Sequence, residues 1–539
     1  MRVSFKLLPI ILLVCPLLAD EGHQHKLTEK EVGSVRFSTS CATSVATDFN
    51  RAVALLHSFQ YGQAGQAFSA ISERDPKCAM AQWGVAMSYY HGLWGNSRLE
   101  VGRPALRKAE ELAASNKATT PREKAYIAAL GEIYREDGKD LATHGRAFEE
   151  KLAALHGDHP EDQEAAIFHA LALYITAPRT DKTYVNQKKC GEILQPLFEK
   201  NSNHPGVAHY IIHCYDNPVL AKEGLKAARR YAQIAPASAH AHHMPSHLFT
   251  RVGSWDEAIN SNAKSAELAA SDETTSNGAE PRDQRLHAMD YLEYAYLQSG
   301  RVQQANAVLA TMNSLSPVAG LTLTGDYALA AIPARNALEM GQWEDAAKLS
   351  VRSDGVPWAQ AITWTAIGIG SARSQGPARA KEAEQKLGSL RELIASKGNA
   401  YWSNQVEVQR REVAAWIAQS EDHSEDAIAT MRSAAELEES MEKDPVTPGA
   451  VVPAREMLAE LLMRQHRAGD ALSEYEAVLK VAPNRFNAVN GAALAAEAAG
   501  NASAANLYFR MLTEIAVGDE RPELEAAKKK VAVLAGKGE

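Results

Sequence analysis

Seven of the 18 histidines in this 539-residue chain lie between His204 and His247. In the stretch HYIIH, His209 and His213 are four residues apart, and in HMPSH the same spacing separates His243 from His247. Side chains four residues apart lie on one face of an α-helix, about one turn from each other. Imidazole is a common ligand of transition metals, so each pair has the residue type and spacing of two ligands to one ion.

The two pairs are also in register with each other. His243 follows His209 by 34 residues, and His247 follows His213 by the same interval. In a chain built from structural repeats, equivalent residues of neighbouring units point the same way, and packed helices lie about 8–10 Å apart. The four imidazoles are therefore predicted to converge on one metal site. Copper or zinc is the expected ion, because imidazole suits both and no carboxylate accompanies the pairs at helical spacing.

Four further residues are candidates to complete this site. Asp216 lies close after His213 and is a candidate to orient a ligand histidine. His240 and His287 are candidates for the same concave wall. His57 lies beside aromatic residues and completes a pocket only if the first repeats curl back. Otherwise His57 packs in the core.

Two alternatives stay open for the histidine pairs. If Ser238 caps the helix that carries them, Pro245 lies inside that helix and removes a backbone hydrogen bond, at a cost of about 3 kcal/mol. If a helix begins at Pro245, His243 lies outside it and the second pair loses its helical spacing. Without a metal, the same histidines would line a polar groove or pack in the core.

The elements that must position these residues are helical repeats. The stretches HRAGDALSEYEAVLKVAP and GNASAANLYFRMLTEIAV align at an offset of 34 residues. A helix-turn-helix period of about 34 residues is the tetratricopeptide (TPR) pattern, here with a turn residue and an alanine five positions later. This turn-plus-alanine spacing occurs at Phe59/Ala64, Gly253/Ala258, Gly300/Ala305, Gly341/Ala346, Asp422/Ala427, His466/Ala471 and Gly500/Ala505. The predicted fold is all-α, a right-handed superhelix of stacked TPR-like repeats whose first helices line the concave side.

Composition along the chain predicts its division into segments. Residues 21–440 are predicted to form an N-terminal TPR-like array. Residues 441–453 (MEKDPVTPGAVVP) are rich in proline and glycine and are predicted to be a connection. Residues 454–539 are predicted to form a C-terminal pair of TPR repeats that ends in a charged capping helix.

The first 20 residues have the pattern of a secretory signal peptide. Two basic residues precede an apolar run from Leu7 to Leu18, and a small residue, Ala19, follows it. The run is shorter than the roughly 20 apolar residues that a membrane-spanning helix needs, so no membrane span is expected. The protein is therefore predicted to be exported, to the periplasm or outside the cell.

Four cysteines remain after the predicted signal peptide: Cys41, Cys78, Cys190 and Cys214. An even number of cysteines in an oxidising compartment favours disulfides, although the sequence does not choose among three pairings. A bond between Cys41 and Cys78 is preferred, because both precede helices that should pack together. Buried free thiols are the alternative.

Several stretches of the chain resemble a family of bacterial secreted TPR-repeat proteins. They include FNRAVALLHSFQYGQAGQAF, DPKCAMAQWGVAMSYYH, HPGVAHYIIHCYDNP, AHAHHMPSHLFTRVGSWDEAI and HAMDYLEYAYLQSGR. The resemblance covers most of the chain after the predicted signal peptide. It implies the repeat fold and an extracytoplasmic location, and it implies no reaction.

Charge and motifs narrow the function further. The net charge is −9, and no dense block of Lys and Arg occurs, so a nucleic-acid partner is not expected. The sequence also lacks GxGxxG, GxxxxGK[ST], GxSxG and HExxH motifs. The first hypothesis is an exported module that binds a protein or peptide in its concave groove and carries a histidine-rich metal site. The alternative is a metalloenzyme or metal-handling protein that uses copper or zinc, and the sequence leaves open whether it catalyses a reaction.

Overall fold

The computed structural model of the protein describes residues 27–94, 97–275 and 279–535. Within these ranges the chain forms 27 α-helices and no β-strand, which confirms the all-α prediction. None of these helices is both long enough and apolar enough to cross a bilayer. The predicted signal peptide at residues 1–20 lies outside the described residues.

A short helix and five helix pairs form the first part of the superhelix. They are α1 (Glu29–Val32), α2 (Ala46–His57), α3 (Tyr61–Arg74), α4 (Ala79–Met87), α5 (Leu99–Ser115), α6 (Pro121–Ile133), α7 (Leu141–Asp158), α8 (Gln163–Ile175), α9 (Val185–Lys200), α10 (Pro205–Tyr215) and α11 (Leu225–Ile234).

Five more pairs follow, and the first helix of the first of these pairs is divided into two pieces, α12 and α13. The helices are α12 (Ala239–His243), α13 (Pro245–Val252), α14 (Trp255–Thr275), α15 (Ala279–Gln298), α16 (Val302–Ser314), α17 (Leu323–Glu339), α18 (Trp343–Ala347), α19 (Pro357–Ser374), α20 (Pro377–Ser396), α21 (Ala400–Ser420) and α22 (Ser424–Glu439).

Two further pairs and a final helix end the described chain. They are α23 (Ala454–Arg464), α24 (Ala468–Val481), α25 (Phe486–Ala498), α26 (Ala502–Ile515) and α27 (Pro522–Ala535).

The turn pattern seen in the sequence has a direct structural cause. A sharp reversal after a helix needs one residue in the left-handed region of backbone space, which glycine adopts without strain. All seven predicted turn residues have positive φ: Phe59, Gly253, Gly300, Gly341, Asp422, His466 and Gly500. The alanine five residues later is buried in every case, because the second helix crosses the first there and leaves no room for a larger side chain. These repeats stack as the predicted right-handed superhelix.

The first helix of each pair is buried far more completely than the second. Every residue of α10 is buried, whereas α11 buries only Ala227, Ala228, Tyr231 and Ile234. A first helix packs against both neighbouring pairs and also faces the interior, so less of its surface reaches solvent. Side chains on these helices therefore meet inside the superhelix.

Residues 441–453, hereafter the inner segment, join α22 to α23 and cross the interior of the superhelix. The backbone N–H of Glu442 donates to the carbonyl of Arg179 at 2.9 Å, before α9. Tyr327 of α17 donates to the hydroxyl of Thr447 at 2.8 Å. The backbone N–H of Asp444 donates to the Tyr401 hydroxyl of α21, also at 2.8 Å. The inner segment thus contacts helix pairs that are far apart in sequence.

The hydrophobic core continues across the inner segment, from Tyr327 to Ala495 in one contiguous cluster. The last repeats also return to the middle of the array. The indole N–H of Trp255 donates to the carbonyl of Asn484 at 2.9 Å, and the backbone N–H of Phe486 donates to the Gln298 side chain at 3.0 Å. The helix pairs on either side of residues 441–453 therefore share both core and polar contacts.

The preferred bond between Cys41 and Cys78 is present, and the two remaining cysteines form a second disulfide. Cys41 is bonded to Cys78, and Cys190 is bonded to Cys214. The second bond joins α9 to α10, the helix that carries His209 and His213.

A buried ion cluster between α15 and α17 supports the helix that carries His287. The Arg335 guanidinium donates to Asp290 at 2.6 Å and to Glu293 at 3.1 Å, and all three side chains are fully buried. Arg335→Ala would leave two buried carboxyl groups without a cation, so the free energy of unfolding should fall by about 3–5 kcal/mol. Chemical denaturation measures this loss.

Arg229→Ala is the matched control, because Arg229 pairs with Glu257 at the surface. An exposed pair contributes at most about 1 kcal/mol. Equal losses in the two variants would show that the buried cluster is not what stabilises this region.

Candidate metal centre

Three consecutive first helices bring six histidines together inside the superhelix. The helices are α10, the divided helix α12/α13, and α15. No imidazole in the set is more than 5% exposed, and the set consists of His209, His213, His240, His243, His247 and His287.

The divided helix keeps its histidines in register. Ser238 caps α12 by accepting from the backbone N–H of Ala241, and Pro245 is the first residue of α13. Met244 between the two pieces has helical backbone angles, φ −54° and ψ −37°. The proline interrupts the hydrogen bonding without changing the direction of the helix. One sequence alternative has Ser238 as the cap and the other has a helix that begins at Pro245, and both features are present. His243 and His247 still share one face, with their Nε2 atoms 3.0 Å apart.

The first cluster contains His209, His213 and His240. The Nε2 atom of His209 lies 3.0 Å from Nε2 of His213 and 3.0 Å from Nε2 of His240. One potential ligand atom from each of the three rings lies within 4.8 Å of the others.

The second cluster contains His243, His247 and His287. Its three potential ligand atoms also lie within 4.8 Å of one another. The ring centres of His243 and His287 are 4.2 Å apart, and those of His247 and His287 are 6.1 Å apart.

The four histidines of the sequence motif therefore lie in two clusters rather than one, and each cluster gains a third member from the next helix pair. His240 joins the first pair, and His287 joins the second. His287 follows His240 by 47 residues, the interval that also separates Ala258 from Ala305. This longer local repeat is the sequence signal that places His287 in register with His240. A search at a uniform interval of 34 residues does not find this match.

Hydrogen bonds fix the proton position on three of the six rings. Nδ1 of His209 donates to the backbone carbonyl of His57 at 2.6 Å. Nδ1 of His247 donates to Asp216 at 2.9 Å. Nδ1 of His243 donates to the Asn262 side-chain oxygen at 2.7 Å, and the Asn262 amide nitrogen is turned to the Ala258 carbonyl. In a neutral imidazole only one nitrogen carries hydrogen, so Nε2 of each of these rings has a free lone pair.

These lone pairs face one another. His243 and His247 place two Nε2 acceptors 3.0 Å apart with no hydrogen between them. His209 has one Nε2 lone pair and two Nε2 neighbours at the same distance, so at least one of those contacts is unsatisfied. Two imidazole nitrogens bound to one ion at 2.0–2.1 Å are about 2.9–3.4 Å apart, so the observed spacing is that of ligands to a shared metal.

Protonation of these buried imidazoles is disfavoured. Burial lowers the pKa of His209, His213, His240, His243 and His287 well below the ordinary value, and neighbouring imidazoles lower it further. Burial also lowers the pKa of His247, although its hydrogen bond to Asp216 opposes that effect. All six rings are neutral near pH 7, which is the form that binds metal.

Asp216 orients the second cluster and connects it to the inner segment. Its carboxylate accepts from His247, from Arg251 at 2.8 Å and from Lys443 at 3.1 Å. Burial alone would raise the pKa of Asp216, but the Lys443 and Arg251 charges and the His247 hydrogen bond hold it well below its usual range. A carboxylate behind a ligand histidine fixes the ring and increases its basicity. Asp216, the candidate orienting group in the sequence, contacts the ring of His247.

His57 belongs to a different group, which includes Glu164 and His204. His57 and His204 each place Nε2 at 2.8 Å from one oxygen of Glu164. The second nitrogen of His57 accepts from the Tyr210 hydroxyl at 2.9 Å, and that of His204 accepts from the backbone N–H of Val207. Every ring nitrogen has a complementary partner, so this group is a satisfied polar network. His57 contacts the first cluster through its carbonyl.

A glycine permits that contact. A Cβ atom on Gly206 of α10 would lie 2.6 Å from Nδ1 of His57, so a larger residue would push α10 away from α2. His209 could then no longer reach the His57 carbonyl.

Aromatic rings enclose both clusters. The Phe59 ring lies 4.4 Å from His209 and 5.5 Å from His240, measured between ring centres. Tyr291 covers the second cluster, 4.9 Å from His243 and 4.8 Å from His247. Phe59 holds its position with φ of 55°, an unfavourable angle for a bulky side chain. Such strain is found where surrounding structure demands one orientation of a residue, often at functional sites.

Comparisons with known proteins add little on function. No protein-family model matches the chain, and no curated protein matches it. The structure of a human IFIT1 dimer with PPP-AAAA is 13% identical, over 86% of this chain and 89% of that one, with a TM-score of 0.34. The TPR domain of P58(IPK) is 12% identical, over 92% and 99%, with a TM-score of 0.19. These values carry no inference about function, and the resemblance to a secreted bacterial family stays a prediction.

The neutral imidazoles predict how the metal-free protein responds to pH. Their pKa values are lowered in the folded state and near 6.5 in the unfolded chain, so the unfolded chain binds more protons as the pH falls through about 6.5. The free energy of unfolding should therefore decrease below that pH, by up to about 1.4 kcal/mol per pH unit for each histidine. Denaturant unfolding between pH 8 and 5 measures the slope.

His243→Gln should make this slope shallower by the share of one imidazole. His423→Gln should leave it unchanged, because water reaches that exposed ring in both states. A slope that is the same in both variants would contradict the assignment of a buried neutral His243.

Proposed function

We propose that this protein is an exported metalloprotein whose two histidine clusters bind two transition-metal ions, copper or zinc. The observation that carries the proposal is the pair of Nε2 lone pairs of His243 and His247, which face each other at 3.0 Å in a buried site. Two buried acceptors without a donor are unfavourable, and a cation between them removes that cost.

The composition of the clusters supports this ion class. Neither cluster contains a carboxylate or a thiolate, and imidazole ligands suit zinc and copper. Three protein ligands leave a coordination position for a small molecule, whereas structural zinc sites use four. The arrangement therefore favours a site that binds or transforms a small ligand over a purely structural one.

Export is part of the proposal and has two supports. The first 20 residues have the pattern of a signal peptide. The two disulfides, Cys41–Cys78 and Cys190–Cys214, are typical of proteins that fold in an oxidising compartment.

Metal analysis tests the metal sites directly. After equilibration with copper or zinc and removal of loosely bound ions, the wild-type protein should hold two ions per chain by mass spectrometry of the metal. His240→Ala and His287→Ala should each retain one ion, since each removes a ligand from a different cluster. His209→Ala combined with His243→Ala should retain none.

His242→Ala is the matched control. His242 lies between two of the ligand candidates in sequence, but its ring points away and its Nε2 bonds to the Pro236 carbonyl at 3.1 Å. This variant should bind two ions. Absence of stoichiometric metal in the wild type, or two ions in the double variant, would refute the metal sites.

A cavity in the interior supports a second candidate function, the binding of a partner in the concave groove. Superhelices of stacked repeats commonly present such a surface. The cavity has a volume of about 530 Å³ and extends along the inner segment. Five aromatic residues contribute to its walls: Tyr184, Tyr294, Tyr327, Tyr401 and Trp402.

The polar groups of this cavity favour a cationic ligand. Glu412 of α21 is 4% exposed and makes no hydrogen bond or ion pair with any residue that the structure describes. Glu438 of α22 lines the same cavity, and each of these two carboxyl groups raises the cost of ionising the other. Two of the basic residues that line the cavity are already paired, Lys182 with Glu442 and Arg455 with Glu439, whereas Lys480 is exposed. We propose that a lysine or arginine side chain of a peptide occupies the cavity, with its ammonium or guanidinium group at Glu412.

Trp402 fluorescence can report this binding. A dipeptide with an acetylated N-terminus and a C-terminal lysine amide should bind at least about tenfold more tightly than the same dipeptide with norleucine, a difference of about 1.4 kcal/mol. Glu412→Gln should abolish the preference. Glu425→Gln, at an 82% exposed side chain, should keep it. Equal binding of the two peptides by the wild type would refute this second function.

A further inference from the structure

The charge balance around the two clusters favours copper over zinc. All six candidate ligands are neutral imidazoles, and the nearest carboxylate partner, Asp216, already faces two cations, Arg251 and Lys443. Two divalent ions would bring four positive charges into a site whose ligands are at most 5% exposed. Burying charge without a counter-charge is strongly unfavourable, so the two clusters favour monovalent ions. Among the metals that imidazole binds well, copper has a stable monovalent state, whereas zinc has no redox chemistry.

The two clusters form one continuous group of imidazoles. The ring centre of His213 lies 6.3 Å from that of His247, and the ring centre of His240 lies 6.2 Å from that of His243. Each of these contacts joins a ring of the first cluster to a ring of the second. The two clusters are therefore direct neighbours.

The surroundings select the size and polarity of a molecule that reaches the clusters. The rings of Phe59, Trp94 and Tyr291 pack against the clusters. These rings cover part of both clusters with aromatic surface. A charged or bulky substrate would have to displace this packing, whereas a small apolar molecule passes between packed side chains during ordinary fluctuations.

We propose that the two clusters act together as a dicopper centre that binds dioxygen. This inference rests on the proposed metal sites. Each copper(I) ion would supply one electron, and the two electrons would reduce dioxygen to the peroxide level, which leaves a single O–O bond and needs no proton. The two negative charges would offset two of the four charges of the copper(II) pair. The reverse step returns both electrons and releases dioxygen, so no external reductant is consumed.

Anaerobic loading with copper(I) tests the inference. The wild-type protein with two copper ions per chain should take up one dioxygen per chain, measured with an oxygen electrode. Uptake should develop mainly with the second equivalent of copper, because a single ion cannot supply two electrons. The oxygenated protein should give no electron paramagnetic resonance signal, since a bridging peroxide couples the two copper(II) spins.

Variants of the ligand histidines test whether both ions are needed for dioxygen uptake. His240→Gln and His287→Gln, each with one ion, should take up less than a tenth of the dioxygen, and His242→Gln should behave like the wild type. Circular dichroism checks that each variant is folded. The copper titration of the wild type tests independently of the variants whether uptake needs two ions. Two bound copper ions with no dioxygen uptake, or with the signal of two isolated copper(II) ions, would overturn the dicopper proposal and leave the metal sites intact. Failure to bind stoichiometric copper would overturn the proposed metal function itself.

Discussion

The stacking of helix pairs is the constraint on which the rest of the structure depends. A left-handed turn residue reverses the chain, and a buried alanine five residues later lets the second helix cross the first closely. Each pair is then placed against the last at a nearly constant angle, so equivalent positions on successive first helices point to the same part of the interior. The six histidines of α10, α12/α13 and α15 meet in two adjacent clusters for this reason, although they are far apart in the sequence.

Burial gives these histidines their chemical character. In water an imidazole near neutral pH satisfies both nitrogens with solvent, but inside the superhelix each nitrogen depends on a protein partner. The carbonyl of His57, the amide of Asn262 and the carboxylate of Asp216 occupy the Nδ1 side of three rings. The Nε2 side is left to face other Nε2 atoms. The contrast with the group of His57, Glu164 and His204 is informative, because there each ring nitrogen has a complementary hydrogen-bond partner.

The inner segment links the two candidate functions. Lys443 bonds to Asp216 behind the second cluster, while Thr447 accepts from Tyr327 and lines the interior cavity. Tyr291, whose ring covers His243 and His247, places its hydroxyl 2.9 Å from the Thr447 carbonyl. The inner segment therefore bonds to residues beside the second cluster and also lines the cavity. The superhelix supplies the frame, and this segment closes the interior around the histidines.

The sequence by itself determined the repeat fold, the turn positions and the two pairs at His209/His213 and His243/His247. These features depend on local spacing, which a single chain displays directly. It also indicated Asp216 as an orienting group, and it favoured the Cys41–Cys78 pairing. Only the tertiary structure decided that the four histidines divide into two clusters, because that division depends on which rings of adjacent repeats meet. The third members, His240 and His287, come from neighbouring pairs at unequal intervals. The course of residues 441–453 through the interior depends on contacts with residues as distant as Arg179 and Tyr401, and no local pattern of proline and glycine encodes them.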